Sequence, residues 1–271
     1  MADQTSAKSD AALQRELEYQ REWAQRSSIT ATPANVMERY RSLKYAGIIQ
    51  KDFMYRELGP LKGKTLLDFG CGEGQVATQL AMLGADVTGI DISPELIQLA
   101  QRRAELDHVE DRSHFLVCDL LKEPFPKNHF DLIMCSAVLH HVNHTAVLLG
   151  LRECLKPGGR IVIGEPIAPS PLLRALRKKV WFLPVDASPD EKQFDQSEID
   201  SIADTFKDSR IVYFNCLSRL MRILPGSAYR LEDAPTLVRW AVVVLMAVDR
   251  PLAAAPFLRR FFGAVTIVGS K

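Results

Sequence analysis

The chain has 271 residues, of which 47% are hydrophobic and 25% charged, and its formal net charge is +1. This length suits one large domain with insertions, and the near-neutral charge gives no electrostatic reason to expect a nucleic-acid partner. The five cysteines are odd in number and form no CxxC pair, which favours reduced thiols in a cytoplasmic protein over a disulfide framework or zinc ribbon. We expect neither a secretory signal nor a membrane-spanning helix, because the first twenty residues are polar and the longest apolar run is short.

The N-terminal part of the chain is predicted to be helical. A polar helix is expected over about 11–26, with Tyr19 and Trp23 four positions apart on one face. A second helix is expected to begin after Pro33 and to run to about residue 58, where a Gly-Pro pair ends it.

Strands and helices alternate after residue 60, which is typical of βαβ units and a parallel sheet. The predicted strands lie at 64–70, 86–91, 113–119, 130–139, 160–166, 210–217 and 263–271, and the helices at 73–84, 93–106, 144–156 and 197–206. We divide the chain into an N-terminal helical lid at 1–58, a core at 59–218 plus 263–271, and substrate-cap insertions at 166–195 and 219–262.

Three glycines on alternate positions, within 70–74, follow the first predicted strand. A dinucleotide fingerprint needs G-x-G-x-x-G, but here the third glycine comes one residue early and is followed by Gln75. Asp68 precedes this turn and Glu73 lies inside it, where their charges would repel a phosphate and stabilise a cation. S-adenosylmethionine fits this requirement, since it has no phosphate and carries an ammonium and a sulfonium.

Two further acids are expected at the same edge of the sheet. Asp91 closes the second strand, where its two oxygens would accept hydrogen bonds from both ribose hydroxyls of a nucleoside. Asp119 closes the third strand and is placed to accept from an adenine amino group. Each acid alone is equally well explained as a turn or helix cap, but three acids around one crevice favour a ligand site.

Five segments together resemble a known family. LDFGCGEG, VTGIDIS, CDL, FDLIMCSAVLHH and LKPGGRIVIGEP are similar, in order and spacing, to the motifs of class I S-adenosylmethionine-dependent methyltransferases. The resemblance covers about 40–206 and implies an α/β fold: a doubly wound, Rossmann-like, seven-stranded sheet with helices on both faces and the last strand antiparallel. It implies S-adenosylmethionine as cofactor and S-adenosylhomocysteine as product. The cofactor-binding residues would be Asp68, Gly70, Cys71, Gly72, Gly74, Gln75, Asp91, Ile92, Asp119, Leu120, Cys135 and Ser136.

The fourth predicted strand is followed by His140, His141 and His144. A metal site is conceivable because positions 140 and 144 share a helical face, but no HExxH motif or partner carboxylate accompanies them, so no metal is expected. These histidines are explained either as structural residues that form hydrogen bonds with backbone at a helix start, or as a general base for a substrate hydroxyl. His140 and His141 resemble the His-His pair of small-molecule and sugar O-methyltransferases, so either of them is expected to be the base. Glu165, at the end of the fifth strand, would orient an imidazole or accept its proton, although a plain ion-pair role stays open.

Aromatic and basic residues outside the core are candidates for contact with the acceptor. Tyr19 and Trp23 would form a lid, and Tyr40 and Trp181 complete the lid and substrate set. The stretches RALRKKVWF and RPLAAAPFLRRFF suit an ordinary cover, a pocket for an amphiphilic acceptor, or weak contact with a membrane surface.

The function expected from these patterns is methyl transfer to a small molecule, first of all to a hydroxyl oxygen. A nitrogen or carbon acceptor, on a small or lipid-like molecule, and a non-catalytic cofactor-binding subunit remain as alternatives. A nicotinamide-dependent reductase is disfavoured by Asp68 and Gln75, and nucleic-acid methylation by the lack of a basic face and of an Asn/Asp-Pro-Pro-aromatic motif. The sequence leaves the acceptor and the oligomeric state open.

Overall fold

A computed structural model of the chain describes residues 14–142 apart from residue 16, and residues 144–167, 194–217 and 235–271. Trp181 and most of the predicted insertion at 166–195 lie outside the described residues. So do residues 219–234 of the insertion at 219–262.

A seven-stranded sheet with the order β3-β2-β1-β4-β5-β7-β6 forms the centre of the fold. The strands are β1 Thr65–Phe69, β2 Asp86–Asp91, β3 Ser113–Val117, β4 Phe130–Ser136, β5 Leu155–Pro166, β6 Lys207–Phe214 and β7 Ala264–Ser270. The first five strands pair in parallel, whereas β7 is antiparallel to both β5 and β6. The expected sheet and its antiparallel last strand are therefore confirmed.

Helices cover both faces of the sheet. They are α1 (residues 17–26, with 14 and 15 also helical), α2 Ala34–Ser42, α3 Gln50–Leu58, α4 Gln75–Met82, α5 Pro94–Asp107, α6 His144–Cys154, α7 Gln196–Asp204 and α8 Thr236–Leu252. Successive side chains of a strand point to opposite faces of the sheet. Leu66 therefore belongs to a core cluster with α2 to α5, while Leu67 belongs to one with α6 and α7. None of the helices in the described ranges is long and apolar enough to cross a membrane.

The prediction of a single helix after Pro33 is wrong, because the structure has two helices in this segment. Leu43 takes a left-handed conformation (φ 48°) that ends α2, and the chain turns before α3 begins at Gln50. The buried carboxylate of Asp52 in α3 forms an ion pair with Arg39 of α2, so the break folds the two short helices together. The helix-like spacing of apolar residues continues through the turn, so the sequence pattern does not reveal the break between the two helices.

Four strands differ from their predicted bounds by two residues or more. The fourth strand ends at Ser136 rather than at residue 139, and the sixth spans Lys207–Phe214 rather than 210–217. The third strand ends at Val117 rather than at Asp119.

The fifth strand begins at Leu155, five residues earlier than expected, because Leu155 pairs with Phe130 and a register shift accommodates the Pro-Gly-Gly segment within the strand. The predicted helix before it therefore ends at Cys154. None of these changes moves the carboxyl ends of the strands away from each other.

Candidate active site

The candidate site lies where the strand order reverses between β1 and β4, the usual position of ligand crevices in open α/β sheets. The glycine turn follows β1 directly. A Cβ on Gly70 would lie 2.2 Å from Cγ2 of Val138, so only glycine lets the turn approach the loop after β4. At Gly72, with a φ of +52°, a Cβ would meet no atom within 4 Å. The turn thus faces open space in which a ligand fits.

Asp91 links the end of β2 to this turn. One carboxylate oxygen accepts a hydrogen bond from the backbone N–H of Gly72 and the other from that of Ser93, both at 3.0 Å. Burial raises the pKa of Asp91, and these backbone donors act in the opposite direction. Each carboxylate oxygen has a second lone pair, so the two oxygens remain able to accept from a pair of hydroxyl groups. The next residue, Ile92, continues into the N-cap of α5.

Asp68 is buried in the crevice with an acceptor that nothing satisfies. Its side chain is 1% exposed, and its Oδ2 atom has no hydrogen-bond partner among the described residues. Burial raises the pKa of Asp68 to about 7, although the positive charge of Lys51 opposes the shift. A buried carboxylate oxygen without a donor is costly, and a ligand ammonium would supply both a donor and the missing charge.

Lys51, on α3, is the counterpart of Asp68 and was missed from the sequence. It lines a cavity of about 410 Å³ together with Tyr40 and Gln75, and its ammonium donates to Gln75 Oε1 at 3.2 Å. Burial lowers the pKa of Lys51 to about 8, which the charge of Asp68 partly offsets. Among the described residues no carboxylate forms an ion pair with Lys51. Nothing in the sequence distinguishes it from a surface lysine, because only the turn before α3 brings it to the crevice.

The two arginines that line the same cavity are already neutralised. Arg39 is paired with Asp52, and Arg103 is paired with Glu73 at 2.8 Å. The cavity therefore has one cation, Lys51, that forms no ion pair with a carboxylate of the described residues, although the charge of Asp68 acts on it from a distance. An anionic group of modest size is the complement of such a cavity.

Asp119 lies in the loop two residues beyond β3. Its Oδ1 accepts from the backbone N–H of Leu121 at 3.1 Å, and its Oδ2 contacts the Lys122 ammonium at the same distance. A turn cap explains these contacts, so the predicted bond to adenine stays a prediction. Leu120, beside it, is buried in the core.

The predicted cysteines near the cofactor are buried. Cys71 is packed in the core cluster that contains Leu66, and burial raises the pKa of its thiol well above the ordinary value, so it stays protonated. Cys135 is fully buried within β4, whereas Ser136 is half-buried at the strand's end. All five cysteines of the chain are free thiols.

Glu165 organises the loop after β4. Its Oε1 atom accepts from the backbone N–H groups of Val138 and Leu139, at 3.0 and 2.9 Å, and its Oε2 atom lies 2.7 Å from Nδ1 of His140. The side chains of Glu165 and His140 are almost completely buried. The carboxylate accepts a hydrogen bond from Nδ1–H of the neutral imidazole, so the lone pair of that imidazole lies on Nε2.

The other two histidines have different surroundings. His141 is exposed, with its ring centroid 4.0 Å from that of His140. The ring of His144 meets that of Phe194 edge-on at 5.2 Å. Within the described ranges no group of three His, Cys, Asp or Glu side chains is placed to hold a metal ion.

The predicted lid residues lie on a segment that crosses α5. Tyr19 is 45% exposed and Trp23 37% exposed. The segment is fixed by Arg21, which bonds Glu95 at 2.8 Å, and by Thr32, whose hydroxyl donates to Asp107 at 2.8 Å. It passes beside the cavity of Lys51, but a lid function for its aromatic residues stays a prediction. Tyr40, in contrast, is buried and lines that cavity.

The sheet order and the antiparallel last strand are those of the Rossmann-like fold of class I methyltransferases. Residues 67–163 match the family described as "Methyltransferase domain".

Curated relatives match a segment of similar length. The ubiquinone biosynthesis O-methyltransferase of Schizosaccharomyces pombe mitochondria is 38% identical over 117 residues, which are 41% of this chain and 42% of the relative. The 27-O-demethylrifamycin SV methyltransferase of Amycolatopsis mediterranei is 37% identical over 116 residues, 41% of this chain and 43% of the relative. The chain thus spans less than half the length of these relatives.

Solved structures share the fold over more of the chain. Geranyl diphosphate C-methyltransferase from Streptomyces coelicolor, in complex with S-adenosyl-L-homocysteine, superimposes with a TM-score of 0.57 at 19% identity. The match covers 82% of this chain and 78% of that one.

The unsatisfied carboxylate of Asp68 makes a prediction about stability. The pKa of Asp68 is higher in the folded protein than in the unfolded chain, so its ionisation costs stability as pH rises from about 4 to about 7. Asp68→Asn should therefore raise the free energy of unfolding of the ligand-free protein at pH 8 by a few kcal/mol, at roughly 1.4 kcal/mol per pKa unit, since the pKa of about 7 already includes the attraction of Lys51. The difference should vanish near pH 4, as measured by urea denaturation.

Asp131→Asn is the matched control with the opposite sign. Burial raises the pKa of Asp131, but hydrogen bonds from Lys156 and Thr65 outweigh it and lower the pKa to about 2, so this carboxylate stabilises the fold when ionised. Asp131→Asn should lower the stability at pH 8. A stability loss in both variants would show that Asp68 is satisfied within the protein.

Proposed function

We propose that the protein transfers a methyl group from S-adenosylmethionine to a hydroxyl oxygen of a small molecule. The observation that carries the proposal is the pairing of His140 with Glu165 beside the crevice whose acids suit the cofactor. A nitrogen acceptor needs less help from a base, and a subunit without catalysis would leave the pair only its structural role in the loop after β4. A carbon acceptor would need the base as well, so the choice of oxygen rests on the relatives described below.

The crevice suits each part of the cofactor. Asp68 would accept from the ammonium of the methionine moiety, and Lys51 would bind its carboxylate in the adjoining cavity. Asp91 would accept from the ribose hydroxyls, and Asp119 from the adenine amino group. The open space over Gly72 leaves room for the chain of atoms between these ends.

His140 would be the general base. Glu165 holds Nδ1–H, so the Nε2 lone pair of His140 takes the proton of the acceptor hydroxyl as its oxygen forms a bond to carbon. Glu165 then stabilises the imidazolium with its negative charge, and it fixes the ring through the backbone bonds to Val138 and Leu139. Bound S-adenosylmethionine supplies an electrophilic methyl group whose leaving group is the neutral thioether. Alignment in a dry pocket would supply most of the acceleration.

The comparisons favour oxygen as the acceptor atom. The relatives from Schizosaccharomyces pombe and Xylella fastidiosa are named as ubiquinone biosynthesis O-methyltransferases, at 38% and 37% identity. They support a small hydroxylated molecule, and an amphiphilic one is consistent with the basic and apolar insertions. We also propose a cytoplasmic location, on the pattern of free cysteines. The lid assigned to 1–58 and the substrate caps assigned to 166–195 and 219–262 are part of the proposed function as well.

The roles of the histidines are tested by turnover. With an acceptor found by screening phenols and aliphatic alcohols for S-adenosylhomocysteine formation, His140→Ala should lower kcat about 10²–10⁴-fold, because the proton has no acceptor. Glu165→Gln should lower kcat less and shift its pH profile. His141→Ala, at the exposed neighbour, is the matched control and should have the smaller effect. Unchanged turnover in His140→Ala and in the double histidine variant would contradict the base and favour a nitrogen acceptor.

The role of Lys51 is tested with a truncated ligand. Lys51→Met should weaken S-adenosylhomocysteine binding about 10- to 100-fold, because a charge-assisted bond to the carboxylate is lost. Binding of 5′-methylthioadenosine, which lacks the amino acid, should not change. Calorimetric titration measures the dissociation constants of both ligands for the wild-type protein and the variant. Equal loss for both would mean that the variant disturbs the site as a whole, and no loss for either would place the carboxylate elsewhere.

A further inference from the structure

Gln79, on α4, is a buried amide that lines the cavity of Lys51. It lies one helical turn after Gln75, so the two side chains are on the same face of the helix. Gln79 is 3% exposed, and its Oε1 atom accepts a hydrogen bond from the Tyr55 hydroxyl at 2.7 Å. Its Nε2 atom bonds none of the described residues and keeps contact with solvent, so it borders the cavity. A buried amide donor without a partner suits an acceptor that a ligand brings.

Tyr55, on α3, determines which end of this amide faces the cavity. Burial is the main cause that raises the pKa of the Tyr55 phenol well above its ordinary value, so the hydroxyl keeps its proton and donates it to Gln79. Because Oε1 is engaged in this bond, the NH₂ group is the end of the amide that the cavity receives. An NH₂ group has two N–H donors and no acceptor, and it therefore complements an anion.

The ring of Tyr55 also contacts the cation of the cavity. The Lys51 ammonium lies 5.8 Å from the centroid of the Tyr55 ring and 5.7 Å from that of Tyr40, and the two centroids are 4.5 Å apart. Aromatic rings at this distance attract a cation without cancelling its charge. One tyrosine therefore contacts both groups that suit an anion: its ring contacts the ammonium, and its hydroxyl bonds the amide.

We propose that Gln79 is a second donor to the carboxylate of the cofactor's amino-acid end, beside Lys51, and that Tyr55 is the positioning residue for both. This inference rests on the proposed function, in which that carboxylate occupies the cavity. A carboxylate has two oxygens, so one accepts from the ammonium and the other from the amide. Lys51 supplies charge, whereas the amide that Tyr55 orients supplies direction.

Calorimetric titration of the full chain with two ligands tests this assignment. S-adenosylmethionine and its decarboxylated analogue share the adenosine, the sulfonium and the ammonium, and they differ only in the carboxylate. Gln79→Met should weaken binding of S-adenosylmethionine about tenfold, because a hydrogen bond to a charged group is lost, and Gln79→Glu should weaken it further by repulsion. Tyr55→Phe keeps the ring and removes the hydroxyl, so the loss should be smaller, roughly two- to fivefold. Binding of the decarboxylated analogue should not weaken in any of the three variants.

Tyr213→Phe is the matched control, because the Tyr213 hydroxyl donates to Gln196 at 2.9 Å from β6, the last strand at the far edge of the sheet. It removes the same kind of hydrogen bond outside the cavity and should leave the affinities for both ligands unchanged. Circular dichroism and thermal unfolding check that the variants fold.

Two results would overturn the proposal. Equal loss of both ligands in the Gln79 variants would show a structural role, and unchanged S-adenosylmethionine binding in those variants would show that the amide does not contact the carboxylate. If Lys51→Met weakens binding while the Gln79 variants do not, this inference fails and the proposed function stands. If the wild-type protein binds neither ligand, both fail.

Discussion

The candidate site depends on two opposite charges, a buried carboxylate and a half-buried ammonium, that attract each other without forming an ion pair. Asp68 has a carboxylate oxygen with no donor among the described residues, and no carboxylate of those residues forms an ion pair with the Lys51 ammonium. Burial raises the pKa of Asp68 and lowers that of Lys51, so both are held near the point where they lose charge. A ligand with an ammonium and a carboxylate would restore both charges, and the amino-acid end of S-adenosylmethionine has both groups.

The sheet brings the residues of the proposed site to one edge. Parallel strands end at one edge, so the turn after β1, Asp91 after β2 and the loop after β4 meet at the reversal of strand order. Glu165 contributes from β5 and makes three hydrogen bonds to the loop after β4, one of them to His140. The same carboxylate therefore shapes the loop and sets the tautomer of the imidazole, which is why loss of its charge should affect both geometry and proton transfer.

Part of the site could be predicted because it follows from local pattern. Asp68 and Asp91 lie directly beside apolar strands that alternate with helices, and such spacing brings strand ends together whatever the loops do. Lys51 could not be predicted, because it reaches the crevice only through the left-handed turn at Leu43, which the apolar spacing of the two helices conceals. The choice of His140 over His141 as the partner of Glu165 likewise depends on loop geometry beyond one-dimensional periodicity.

Calorimetric titration of the purified protein with S-adenosylhomocysteine, with NADH as the comparison ligand, tests the central claim most directly. The charges in the crevice predict one site per chain with a dissociation constant on the order of micromolar for S-adenosylhomocysteine, and no binding of NADH. Asp91→Ala should weaken the first interaction. Binding of NADH alone would contradict the assignment, because a pyrophosphate would then lie against the buried carboxylate of Asp68, while the charge of Glu73 is paired with Arg103.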